Sequence, residues 1–473
     1  MSQLGESVDL GRLESVLGAV GRTPIVRLRR VVDRIRTPVW LKLESFNPGG
    51  SVKDRIGLAI IEQAEADGTL RPGGTVVEGT AGNTGLALAF AAAVKGYRCV
   101  FAIPDKMSAE KISLVRAFGA EVIVTPSGVP PDHPNYYSNV ARRLAEETPG
   151  AVLADQFFNP ANPRAHYRTT GPEVWKQTDG RVTHFVAAPA TGGTISGVGR
   201  YLKEQNPGVK VIAADPAGSV LAGYARTGEV GKGDMYKVEG AGNDKIPGAM
   251  DFSVIDEFMT VPDRDAFQMA RRLTRQEALF AGGASGLIGC AAVRIAERVD
   301  DPEACIVGLV TDSGERYLSK IYSDEWMREN RMTDTSPATA AGMMERKAVD
   351  GVPALIAVGP GDTVAHALDL MGRHHVSQLP VVETGRQLGS ASEARLMAAV
   401  IADPARRADP VSDHADDAFP EIGPDAGLKQ MADLMTRRVT AVAVISGGSV
   451  AGILTRHDIL RRLLAGDGGS DGA

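Results

Sequence analysis

Cysteine is scarce in this chain: 473 residues contain only Cys99, Cys290 and Cys305. They make no CxxC pair and each has an apolar neighbour in sequence, so free, buried thiols are expected rather than a disulfide framework. No sign of charge dominates. With 52 Lys and Arg against 58 Asp and Glu, the net charge of -6 supplies no basic field for nucleic acid or an anionic membrane. No apolar run approaches the roughly 20 residues of a membrane span. The amino-terminal stretch carries Glu6, Asp9 and Glu14 without an apolar segment, which fits neither a signal nor a transit peptide. A cytoplasmic protein with small molecules or other subunits as partners is the expectation.

The chain is too long for one ordinary core, so two or three folding units are expected. Composition is globular, with 43% hydrophobic and 23% charged residues, and 54 glycines leave room for tight turns and ligand loops. From about Val39 to Leu318, β-rich runs such as VWLKLE, TVVE and RCVFAIP alternate with helical patterns such as RIGLAIIEQAEADG and LALAFAAAVKG. That alternation predicts an α/β parallel sheet. The runs HFVAAPA, VIAADP and CIVGLV are continuously apolar, as in parallel strands covered on both faces. Ligands of such sheets bind in the loops after the strands.

Residues 1–330 are read as a catalytic domain and 331–351, which begins RMTDTSPATAAG, as a linker. Residues 352–464 contain two similar passages, each a Gly-Pro turn, an amphipathic helix with an Asp-Leu-Met segment and a β-rich run, and read as an internal repeat. The tail 465–473, AGDGGSDGA, is expected to be disordered.

Three loops carry the chemistry. In FNPGGSVKDR, Lys53 follows a Gly-Gly turn and opens a helix, where a lysine held near neutrality forms Schiff bases. On spacing alone such a lysine is more often simply exposed. TAGNTG, Thr80 to Gly85, lies between a strand and a helix. Its small residues let backbone N–H groups turn inward on a carboxylate, although an ordinary turn capped by Asn83 has the same pattern. PATGGTISG, Pro189 to Gly197, sets two glycines between two threonines at a helix start, which suits a phosphate monoester. It lacks the GxGxxG spacing and no Walker lysine follows, so NAD and ATP are disfavoured there.

Taken in order, FNPGGSVKDR, VVEGTAGNTG, DQFFNPANPRAHYRTTGPE, TGGTISG and VEGAGNDKIPG resemble the cystathionine β-synthase and cysteine synthase branch of fold-type II pyridoxal-phosphate enzymes. The resemblance covers roughly residues 10 to 328, and the later repeat looks like the tandem regulatory modules called CBS domains. The AHYRTTGPE wording and VTDSGERYLSKIYSDEW tilt it toward the cystathionine-forming side.

The resemblance implies a two-lobed, tryptophan synthase β-like fold, a homodimer and pyridoxal 5'-phosphate as cofactor. Lys53 would carry the cofactor, Asn83 would bond its phenolic oxygen, and Thr191, Gly192, Gly193 and Thr194 would cradle its phosphate. Thr80, Ala81, Thr84 and Gln156 would hold the substrate carboxylate. The implied reaction replaces the β-substituent of a serine-type amino acid by a thiol. Homocysteine would give cystathionine, and the rival is sulfide with O-acetylserine or O-phosphoserine, giving cysteine. A third reading, a ligand sensor without catalysis, is disfavoured by the intact Lys53, Asn83 and TGGT.

This chain departs from the family pattern in several places. The family's Gly-Gly-Ser beside the pyridine nitrogen is Gly282-Gly283-Ala284-Ser285-Gly286 here, which makes Ser285 the replacement candidate. The loop that reads Gly-x-Gly-Tyr-Asp in animal and yeast relatives is Gly240-Ala241-Gly242-Asn243-Asp244, which leaves the choice of thiol open. Ala190 stands where a glycine often opens the phosphate loop. Neither a counterpart of the haem-binding extension of animal relatives nor a metal is expected. In the second regulatory module, GILTRHD places Thr455 and Asp458 where such modules hold the phosphate and ribose of an adenosine-containing effector. The first module has Ser392 but Arg395 in place of the acid.

Overall fold

The structure, a computed structural model, describes residues 12–464 apart from 81, 106–108, 131, 333–338, 350–352, 354 and 436–438. Ala81, part of the expected linker and the expected disordered tail therefore lie outside the described residues. The chain divides into two compact units, Met1–Thr333 and Asp334–Ala473.

The first unit holds two sheets, as a two-lobed α/β enzyme requires. One has six strands in the order Ile25–Arg27, Val39–Leu43, Ile306–Val310, His184–Ala187, Lys210–Pro216 and Glu257–Val261. Only its first pair is antiparallel. The other has four parallel strands in the order Glu121–Thr125, Arg98–Pro104, Thr75–Gly79 and Ala151–Leu153. Every residue of Thr75–Gly79 and Ile306–Val310 is buried, because both faces of these central strands are covered. Successive side chains point to opposite faces: Val76 packs with Phe101 and Ile103, whereas Val77 packs with Val100 and Ala102 in a separate cluster. Cys99 and Cys290 are buried as expected, and Cys305, just ahead of strand Ile306–Val310, is only half-buried.

Three helices begin directly after the loops that the sequence singled out: Lys53–Ala66, Asn83–Lys95 and Gly193–Gln205. The Asn83–Lys95 helix is rich in alanine and leucine, is buried along most of its length, and stops at Gly96 with φ +77°. Beneath Lys53 the same unit buries a charged network. The Arg55 side chain, 1% exposed, bonds both oxygens of the fully buried Glu44 at 2.7 and 2.8 Å and both oxygens of Glu173 at 2.8 Å, while Lys42 closes the network on Glu173 at 2.7 Å.

The second unit shows the repeat directly. Helices Val364–His374 and Leu428–Leu434 precede the antiparallel hairpins Gln378–Ser392 and Ala441–Thr455, and each hairpin leads into a helix, Glu393–Ala402 or Arg456–Leu464. The two hairpins break register at matching points, Val381/Val382 and Val444/Ile445. The stretch read as linker carries a helix, Ala340–Val349, whose Ala340 and Met343 join the core around Val442 and Leu454. Among the described residues no helix is long and apolar enough to cross a membrane.

Candidate active site

Lys53 is fixed by the residues on its amino side. The Val52 N–H donates to the Thr311 carbonyl at 2.8 Å, Ser51 pairs with Asp312, and the Lys53 N–H donates to Ser51 Oγ at 3.2 Å. The lysine thus opens its helix at the carboxyl end of strand Ile306–Val310. Burial lowers its ammonium below the ordinary lysine value, and the nearby Asp312 carboxylate only opposes that shift.

Asp312 is 2% exposed and accepts Asn83 Nδ2 at 2.8 Å and the Tyr317 hydroxyl at 2.7 Å, both on Oδ2. Burial raises its pKa, and those two donors pull the other way. Its Oδ1 is buried without a partner. Gly282 faces that oxygen so closely that an added Cβ would sit 2.1 Å from it. Arg316 holds the other end of Asn83, donating to Oδ1 at 2.6 Å and to the Gly49 carbonyl at 2.6 Å.

The Thr80–Gly85 loop feeds a second cluster. Thr80 is buried and its hydroxyl accepts the Gly82 N–H at 3.2 Å. Thr84 Oγ1 donates to Gln156 Oε1 at 2.6 Å, and the Gln156 N–H donates to Glu78 at 3.2 Å. Burial pushes the Glu78 carboxyl up to about 8, against the backbone N–H of Gln156.

The Gly-rich loop comes next along the same chain of bonds. Asn162 spends both amide hydrogens, one on the Gln156 carbonyl at 2.8 Å and one on Thr191 Oγ1 at 3.0 Å. Thr84, Gln156, Asn162 and Thr191 therefore form one continuous line. Gly192 has φ +84° and caps the helix, where an added Cβ would meet Met250 at 2.3 Å; one on Gly193 would sit 1.8 Å from Asn162 Oδ1. Thr194 Oγ1 meets His166 Nε2 at 3.1 Å, and His166 Nδ1 meets Thr170 Oγ1 at 2.9 Å. Burial, with the cations of Arg55 and Lys53, drives the His166 pKa down to about 3, so the ring between the two threonines is neutral.

These features fit pyridoxal phosphate: a depressed lysine beside an acid, and a two-glycine cradle at the start of a 13-residue helix with two hydroxyls at its mouth. Ser285 is placed differently from the other expected residues. It is fully buried and tied to Thr311, accepting that residue's N–H at 2.9 Å and pairing with its hydroxyl at 3.1 Å. Asp312, Arg316, Asn162 and His166 went unassigned by sequence reasoning, although all four lie inside the stretches that carry the resemblance.

In the second unit, Asp458 Oδ2 accepts the Thr455 N–H at 2.7 Å, the Thr455 hydroxyl at 2.8 Å and Lys347 Nζ at 3.2 Å. The first module inverts the charges. Ser392 Oγ donates to Asp416 at 2.8 Å and Arg395 pairs with the same carboxylate at 2.6 Å. Among the described residues no group of three or more His, Cys, Asp and Glu side chains could hold a metal ion.

The family described as pyridoxal-phosphate dependent enzyme matches residues 16–312, and the CBS domain matches residues 349–402 and 411–465. Cystathionine β-synthase of Oryctolagus cuniculus is 39% identical over 407 residues, covering 84% of this chain and 73% of the rabbit protein. The Dictyostelium discoideum cystathionine β-synthase is 34% identical over 464 residues, 96% of this chain and 92% of its own. Among solved structures, the O-acetylserine-dependent cystathionine β-synthase of Helicobacter pylori aligns with a TM-score of 0.61 at 36% identity, over 66% of this chain and the whole of that one. An O-ureido-L-serine synthase aligns with the same TM-score at 38% identity, over 67% of this chain and all of its own. With the two loops, the depressed lysine and the paired modules in place, the chain belongs to the cystathionine β-synthase family, pyridoxal-phosphate-dependent β-replacement enzymes with a carboxyl-terminal CBS pair.

Proposed function

We propose that this enzyme condenses L-serine with L-homocysteine to give cystathionine and water. The observation that carries this reading is the identity to cystathionine β-synthases over 84% and 96% of the chain, the longer match taking in both modules. Lys53 is proposed to hold the cofactor, with Asn83 at its phenolic oxygen and Thr191, Gly192, Gly193 and Thr194 around its phosphate. Thr80, Ala81, Thr84 and Gln156 are proposed to take the carboxylate of the donor amino acid.

Bound pyridoxal phosphate supplies the electron sink that makes the donor's α-proton acidic. The chain's own residues do the rest. Lys53, depressed by burial, takes the proton from the α-carbon and returns one to the departing hydroxyl of serine. Asn83, gripped by Asp312 and Arg316, keeps one amide hydrogen for the cofactor and one for Asp312. His166 aims the Thr194 hydroxyl, and Asn162 aims that of Thr191. Ser285 is proposed to stand at the cofactor's pyridine nitrogen; its hydroxyl accepts the Thr311 N–H and pairs with the Thr311 hydroxyl, and either hydroxyl can donate in that pair.

A second reading is cysteine formation from an activated serine and sulfide; the likeness to an O-acetylserine-dependent cystathionine β-synthase supports its activated donor, not its acceptor. A steady-state grid of serine, O-acetylserine and O-phosphoserine against homocysteine and sulfide separates the two. The proposal requires serine with homocysteine to give the highest kcat/KM, and a winning pair of O-acetylserine with sulfide overturns it. Thr455 and Asp458 are proposed to bind an adenosine-containing effector that tunes turnover, in a cytoplasmic homodimer.

A further inference from the structure

The loop after Gly242 is stapled to the active-site loops. The Gly242 N–H donates to the Pro189 carbonyl at 2.6 Å, Asn243 Nδ2 to the Ala190 carbonyl at 3.1 Å, and the Ala249 N–H to the Phe157 carbonyl at 2.8 Å. Between these staples Asp244 is exposed and Lys245 is half-buried. Lys245 Nζ lies 4.7 Å from the centroid of the Phe157 ring, and Phe157 directly follows Gln156, the partner of Thr84. No carboxylate comes within 4.0 Å of that ammonium among the described residues. Asp155 only feels its charge at longer range, together with that of Arg142. On the other side, Asp244 acts on Tyr136 and Tyr137, whose rings pack 4.7 Å apart.

A cation over one aromatic ring and an anion at the adjacent position in the chain complement an amino acid's α-carboxylate and α-ammonium. The cation–π contact uses the ring face and leaves ammonium hydrogens for a carboxylate. Sulfide has no group for either charge. We infer that Lys245 binds the α-carboxylate of an amino-acid thiol as it enters, and so sets the acceptor class; this rests on the proposed use of homocysteine. The residue stands two positions beyond Asn243, where the aromatic of animal and yeast relatives is missing, so a charged contact replaces an apolar one.

The test compares full-length holoenzyme, Lys245→Met and Lys245→Arg with serine as donor and three acceptors: L-homocysteine, 3-aminopropanethiol, which lacks the carboxylate, and sulfide. The inference predicts that Lys245→Met lowers the homocysteine-to-sulfide ratio of kcat/KM by about tenfold or more, mainly through KM. Lys245→Arg keeps most of that ratio. Removing the carboxylate from the thiol and the ammonium from the enzyme together should cost little more than either change alone. Equal losses for all three acceptors, or full homocysteine activity in Lys245→Met, overturn the assignment. A wild type that uses sulfide but no amino-acid thiol overturns the proposed reaction itself, a result distinct from a variant that behaves like wild type.

Discussion

Asn83 Nδ2 donates to Asp312 Oδ2 at 2.8 Å, joining residues 229 positions apart in sequence. Asn83 starts the helix after strand Thr75–Gly79, and Asp312 lies just past strand Ile306–Val310. The carboxyl ends of two separate sheets therefore meet at one hydrogen bond, beside Lys53. Both ends of the Asn83 amide are engaged, since Arg316 takes Oδ1. A side chain held at both ends orients a ligand without losing rotamer freedom on binding.

The phosphate cradle is best tested at Thr194. Thr194→Val keeps the shape but removes the hydroxyl that meets His166. Titrating apoenzyme with pyridoxal phosphate and following its absorbance should show affinity reduced about tenfold, the cost of one charge-assisted bond. Gly193→Ala is the less selective probe, because its Cβ would collide with Asn162, which holds Thr191. Unchanged affinity in Thr194→Val removes the residue from the cradle.

His166 makes stability depend on pH. Its folded pKa of about 3 lies below the value of 6.5 expected for an exposed ring, so below pH 6.5 the unfolded chain binds a proton that the folded chain refuses. Its contribution is complete above that value and shrinks as pH falls toward 3. Urea unfolding of wild type and His166→Gln should show the wild type losing about 2 kcal/mol relative to the variant between about pH 7 and about pH 5. The raised carboxyls of Glu78 and Asp54 work in the opposite direction but cancel in this difference. A gap that does not change with pH contradicts a buried neutral imidazole.

Arg55→Met strands a fully buried Glu44 with Lys42 as its remaining nearby cation. Loss of about 3–5 kcal/mol from the unfolding free energy of the first unit is expected, read as a lower denaturant midpoint. A loss under about 1 kcal/mol would mean that Lys42 alone compensates the carboxylate.

Much of this was legible in the sequence because glycine-rich turns at helix starts leave a local signature. Lys53, Asn83 and the TGGT turn each open the helix expected of them. Asp312 and His166 were not legible as site residues. A single acid after an apolar strand and a histidine inside a helix look ordinary until the fold brings Asn83 and Thr194 to them. Ser285 shows how sharp the spacing is. One step along a helix turns a side chain by about 100°, and the serine at 285 meets Thr311. The helix Ala340–Val349 was hidden by a Ser-, Thr- and Pro-rich stretch just before it, and only the packing of Ala340 and Met343 against the second unit reveals it.

Effector binding should depend on Asp458. Calorimetric titration of the full chain with S-adenosylmethionine, AMP and ATP is expected to give heat with at least one, and Asp458→Ala should abolish it. All three donors at Asp458 converge on Oδ2, and Lys347 is the one that comes from outside the Thr455 turn. Coupling to the catalytic unit is on the order of 1–3 kcal/mol and reciprocal, so serine should shift effector affinity equally. No heat from any ligand, or equal binding by Asp458→Ala, sinks the assignment.

The most direct test of the site is to reduce the holoenzyme with borohydride, digest it and locate the cofactor by peptide mass spectrometry, with Lys53→Ala run beside it. The account predicts one pyridoxal-phosphate adduct, on the peptide containing Lys53, and no measurable turnover in Lys53→Ala even where the phosphate cradle still retains cofactor. An adduct on a different lysine, or near-normal turnover in Lys53→Ala, would contradict it.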